Sequence, residues 1–82
     1  MHIPHELREE FPEEVEFIEQ SVKRDYEFRQ LATRYDEVNR HIYRIESEDE
    51  PTSDEVLEDL KKQRLKLKDA IATALTKLER RM

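Results

Sequence analysis

Six apolar residues, Phe28, Leu31, Tyr35, Val38, Ile42 and Ile45, follow one another at spacings of 3, 4, 3, 4 and 3. A strand cannot use that pattern, because its two faces alternate with period two. An α-helix can, since 3.6 residues per turn gather all six into one stripe. A second stripe follows: Leu57, Leu60, Arg64, Leu67, Ile71, Ala74 and Leu78, at spacings of 3, 4, 3, 4, 3 and 4. One of its positions is charged. Between the stripes lies "ESEDEPTSDE", residues 46 to 55, where Pro51 stops the first helix from running on. The sequence "TSDE" reads as a capping box, with Thr52 as N-cap and Glu55 three residues later.

Folding the chain back at this connector brings the stripes into one register. Leu57 meets Ile45, Leu60 meets Ile42, Leu67 meets Tyr35, Ile71 meets Leu31, and Ala74 meets Phe28. A small residue faces the largest one, as interdigitated packing favours. The fold class expected is all-α: an antiparallel two-helix hairpin, coiled-coil-like, with helices at about 26–48 and 53–80. Arg64, the charged seam position, is expected to lay its stem on apolar surface and reach Asp36 or Glu37 with its guanidinium.

The remaining third is a helical arm. "IPHELREEF" forms one or two turns, and Pro12 interrupts them. A new helix starts at Pro12, with Glu13, Glu14 and Glu16 at the positive end of its dipole. Its apolar residues are Phe11, Val15, Ile18 and Val22, with Phe17 on the flank. The phase then breaks at "KRD", residues 23 to 25, and Asp25 is a candidate N-cap for the next helix. The expected organisation is an arm over residues 1–22 and a hairpin over 23–82.

Charge supports contact between the ends. Residues 1–22 hold seven acids and one base, and residues 61–82 hold eight bases and two acids. The arm is therefore expected to dock on the basic C-terminal half.

The run from Phe28 to about Leu75 resembles the YdcH-like family of short bacterial helical-hairpin proteins, a domain of unknown function. The matching stretches are "FRQLATRYDEVNRHIYRIE" and "LKKQRLKLKDAI", the second being the more specific. The resemblance implies a two-helix hairpin that often self-associates. It supplies no catalytic or binding residues.

The chemistry excluded by composition is broad. There is no Cys, so no disulfide framework and no thiolate metal site. There is no Gly, so no phosphate-cradling loop or nucleophile elbow is available. Paired carboxylates abound, but acid–base catalysis needs a desolvated pocket that separates their pKa values. No catalytic residues, no enzyme activity and no cofactor are expected. His2 and His5, with Glu6 and Glu9, lack a clear third imidazole, and no metal is assigned to them. His41 reads as a residue beside the seam.

Lys61, Lys62, Arg64, Lys66 and Lys68 give the last helix a basic start. As a nucleic-acid site it lacks interleaved aromatic residues for base stacking, and its bases spread around the helix. As a membrane-surface helix it lacks an aromatic apolar face. No run approaches the roughly 20 apolar residues of a spanning helix, and the first ten residues lack the features of a secretory signal. A cytoplasmic location follows as the expectation.

Size argues for a further interface, since a core this small supplies only about 3–5 kcal/mol. Leu65, Ala72 and Leu75, off the seam on adjacent faces, are candidates for it. Tyr26 is the other apolar residue off the seam. The expected function is a small homo-oligomeric coiled-coil interaction or adaptor protein, dimeric or higher, with an unidentified protein partner. The alternative is a nucleic-acid-associated protein using the basic helix 61–81.

Overall fold

The computed structural model describes residues 5–47 and 51–80. Four α-helices follow in order: α1 (His5–Glu10), α2 (Val15–Arg24), α3 (Tyr26–Glu46) and α4 (Asp54–Arg80). A short 3₁₀ turn, Pro12–Glu14, leads into α2. The fold is all-helical, with α3 and α4 paired as an antiparallel hairpin and the arm packed against them.

Each break has a local cause. The Phe11 amide closes α1 on the Leu7 carbonyl at 2.9 Å, and Phe11 itself is extended, as a residue before proline prefers. Pro12 then begins the 3₁₀ turn, where a missing amide hydrogen costs nothing. Asp25 alone separates α2 from α3. Its backbone is extended, at φ −114° and ψ 112°, and its carboxylate accepts the Phe28 amide at 2.9 Å. The N-cap expected at this position is therefore formed.

The cap on α4 sits one residue later than the sequence pattern suggested. The Val56 amide donates to the Ser53 hydroxyl at 3.3 Å, making Ser53 the cap and not Thr52. With Ser53 as cap, the third helical position is Val56, so Glu55 cannot complete a reciprocal box. At the loop end, Lys61 Nζ lies 3.4 Å from Glu46 and ties the helices together.

One apolar core joins the arm to the hairpin. Leu7, Ile18 and Val22 from the arm are buried together with Phe28, Ala32 and Tyr35 of α3 and Ile71 and Leu75 of α4. Fully burying an aliphatic side chain stabilises by about 1.5–3 kcal/mol. The three arm residues thus supply a share of stability that surface charge alone could not. Charge then aligns the arm: Glu10 meets Lys68 at 2.8 Å, and Arg8 meets Glu19 at 3.5 Å.

The arm rotates the buried face of the hairpin. On α3 the deepest residues are Phe28, Ala32, Tyr35, Asn39 and Ile42, at spacings of 4, 3, 4 and 3. Ala32 and Asn39 take the depth expected of Leu31 and Val38, which are half-buried along with Ile45. One residue turns a helix by about 100°, so Ala32 and Asn39 face the arm side while Leu31 and Val38 face the other. On α4, Leu60 and Ile71 are buried, and Leu57, Arg64, Leu67, Ala74 and Leu78 are half-buried. Leu75 was expected on a free outer face. It is only 3% exposed, because the arm covers it.

Candidate interaction site

The hairpin has two sides with different chemistry. On the arm side, Glu9 and Glu10 face Tyr35, Asn39, Lys61, Arg64, Leu65 and Lys68 across a recess of about 410 Å³. The polar centre beneath it is ordered by hydrogen bonds. Asn39, in the interior of α3, donates from Nδ2 to the Tyr35 carbonyl one turn earlier, at 3.0 Å. Its Oδ1 accepts from the Arg64 guanidinium at 3.3 Å. Arg64 therefore reaches Asn39 and not Asp36 or Glu37. Asp36 is taken by Arg40 within α3 at 3.1 Å.

Two groups here have displaced proton affinities. Burial holds the Tyr35 hydroxyl above its ordinary pKa of 10.0, and nearby Glu10 adds to the rise. Its hydrogen bond with Asn39 and the charges of Arg64 and Lys68 act the other way. Lys68 is raised above 10.5, first by its hydrogen bond to Glu10 and then by that carboxylate's charge.

The opposite side has no arm residue over it. Val38 and Leu67 line a recess of about 410 Å³ with Arg34, Glu37, Gln63 and Lys66. Nearer the arm end, Phe28, Leu31, Ala74 and Leu78 line a smaller one, of about 110 Å³, with Asp25, Glu27 and Lys77. The half-buried seam residues thus form an apolar strip with charged borders of both signs.

The off-seam candidates divide. Leu65 is 58% exposed at the rim of the arm-side recess, Ala72 is half-buried, and Leu75 is core. Tyr26 is exposed, receives a hydrogen bond from Gln30 at its hydroxyl, and carries Arg29 over its ring at 5.6 Å. His41 is half-buried. His2 and the side chains of His5 and Glu6 lie outside the described residues. Among the described residues, no group of three or more His, Cys, Asp or Glu side chains could hold a metal ion. None of the described helices is long and apolar enough to cross a membrane.

Three buried residues escaped the sequence reading. Leu7 is the sole apolar residue of α1 and belongs to no repeat, although it stands four before Phe11. Ala32 is small and Asn39 polar, so neither marks a stripe by hydropathy.

These features define a class: a short helical hairpin whose N-terminal arm folds back over one side. Residues 28–75 match the model of a family described as protein of unknown function, DUF465, and the chain belongs to that family. The matched stretch is most of α3 and α4 with the connector. The arm that supplies Leu7, Ile18 and Val22 lies outside it. Neither a curated protein nor a solved structure matches the chain.

Proposed function

We propose that this chain is a non-catalytic, cytoplasmic interaction module that assembles with copies of itself through the uncovered side of its hairpin. The observation that carries this reading is the strip of Leu31, Val38, Leu67, Ala74 and Leu78, half-buried and bordered by charges of both signs. The arm covers the other side of the same helix pair, so the strip is the side on which a second hairpin can add burial. Two hairpins meeting there make a four-helix bundle, the usual way such pairs complete a core. Arg34, Glu37 and Lys66 at the border favour pairing in few registers.

The basic helix supports this reading over nucleic-acid binding. Lys61 and Lys68 are engaged by Glu46 and Glu10 of the same chain, which reduces the charge offered to phosphates. The test is light scattering on the intact protein across a concentration series. The expected result is a concentration-dependent dimer or larger species that Leu67→Lys abolishes while helicity is kept. A monomer at every concentration defeats the proposal.

A further inference from the structure

The junction between α2 and α3 is one residue long, and its backbone is already mostly helical in its hydrogen bonding. The Asp25 amide donates to the Ser21 carbonyl at 2.8 Å. The Asp25 carbonyl accepts the Arg29 amide at 3.0 Å. Both are bonds that an uninterrupted α-helix makes between residues four apart. What interrupts the ladder is the start of α3, where the Phe28 amide turns to the Asp25 carboxylate instead. Rotation of the Asp25 backbone from its extended setting into the helical region joins α2 and α3. The product is one helix over residues 15–46, about 48 Å long. The amides at the start of α3 regain main-chain partners, so straightening loses little locally.

The loss lies elsewhere. A straight helix carries the arm away from its own hairpin and uncovers the surface that Leu7, Ile18 and Val22 had sealed. That surface is specific: apolar where it met these residues, and basic at Lys68, where it met Glu10. A second copy of the chain brings the same residues at the same spacing, so it fits the vacated surface by construction. Exchange of an identical element between protomers is a low-cost route to a dimer when the hinge can adopt two settings.

We infer that Asp25 is a hinge, and that straightening there lets two chains exchange their arms, each covering the other's hairpin. The pairing uses the arm side and leaves the Val38–Leu67 strip free. It is therefore independent of the assembly proposed above. The bent and straight forms contain the same core contacts, and concentration decides between them.

Two substitutions push the hinge in opposite directions. Tyr26→Pro holds the bent form: proline is accepted at the first position of α3, biases Asp25 toward the extended backbone it already has, and breaks a continuous helix. Tyr26 is 64% exposed, so little packing is lost. Asp25→Ala removes the cap and places a strong helix former at the junction. To report connectivity, Glu10→Cys and Lys68→Cys are combined, in a chain that has no other cysteine, and joined with a short thiol-reactive crosslinker. The expected result, in a Leu67→Lys background that disables the strip, is a dimer crosslinked between chains. Its fraction should rise several-fold with Asp25→Ala and fall to nothing with Tyr26→Pro. A dimer crosslinked only within chains overturns the exchange and leaves strip pairing intact. So does a Leu67→Lys protein that stays monomeric at millimolar concentration even with Asp25→Ala.

Discussion

Asn39 sits where a coiled-coil pattern would place an apolar residue, and its two hydrogen bonds are what make it acceptable there. Its amide nitrogen serves the Tyr35 carbonyl and its oxygen takes the Arg64 guanidinium. The pair is a unit, so single and double substitutions should differ in kind. Arg64→Leu alone strands the Asn39 oxygen, and a buried unsatisfied group costs about 1–3 kcal/mol. A fall in Tm is expected. Replacing both, Asn39→Leu with Arg64→Leu, removes donor and acceptor together and should return Tm to the wild-type value or above. Thermal melts followed by circular dichroism of the two variants decide this. Leu7 makes a second residue-scale case. It is fully buried although α1 has only six residues. Leu7→Ala should cost about 2–5 kcal/mol, a core-sized penalty, and a loss under 1 kcal/mol in a denaturant titration would mean that the arm is only weakly held.

At the scale of elements, boundaries in this chain are set by single side chains. Asp25 starts α3, Pro12 starts the turn into α2, and Ser53 starts α4. The Ser53 cap gives a discriminating test against its neighbour. Ser53→Ala should lower stability by about 0.5–2 kcal/mol, whereas Thr52→Ala should be near neutral. Equal effects from the two would place the cap back at Thr52. The helix pair itself was legible because two seven-residue repeats are hard to satisfy any other way. The orientation of each helix about its own axis was not. Within the hairpin alone, Leu31 and Val38 are the natural seam. The arm's arrival moves the deepest line to Ala32 and Asn39, residues whose hydropathy gives no sign of burial.

For the molecule as a whole, the docking of the arm concentrates the displaced proton affinities in one place. Tyr35 and Lys68 both lie beneath it, and both have raised values in the folded state. A raised value means that the folded state holds the proton more tightly than the unfolded chain does. The resulting stability is fully present below the ordinary values of 10.0 and 10.5 and is lost as pH rises through the folded ones. Stability should therefore be insensitive to these two groups at neutral pH and decline above about pH 10. Lys68→Met should blunt that decline without removing it, since Tyr35 remains. An alkaline urea series on both proteins measures this, and parallel curves would show that Lys68 has no part in it. The Glu10–Lys68 pair is partly exposed, so its own contribution is modest, about 0–1 kcal/mol, and shrinks with salt.

The sequence by itself determined the helices, the sites of their breaks, and the antiparallel pairing of α3 with α4. Those follow from local causes: the 3–4 repeat, the positions of three prolines, and short capping side chains. It also pointed to the direction in which the arm should go, through the opposite charges of the chain's ends. Only the tertiary structure decided how far the arm reaches and which side of the hairpin it covers. That choice settles whether Leu75 is surface or core, and whether Arg64 answers a carboxylate at the edge or an amide in the interior. The reason is physical. A helix pair of this size has two sides nearly equal in apolar content, and charge attracts without aligning. The fit of Leu7, Ile18 and Val22 against Ala32, Tyr35, Ile71 and Leu75 depends on shape across four separate elements, which no single stretch of sequence encodes.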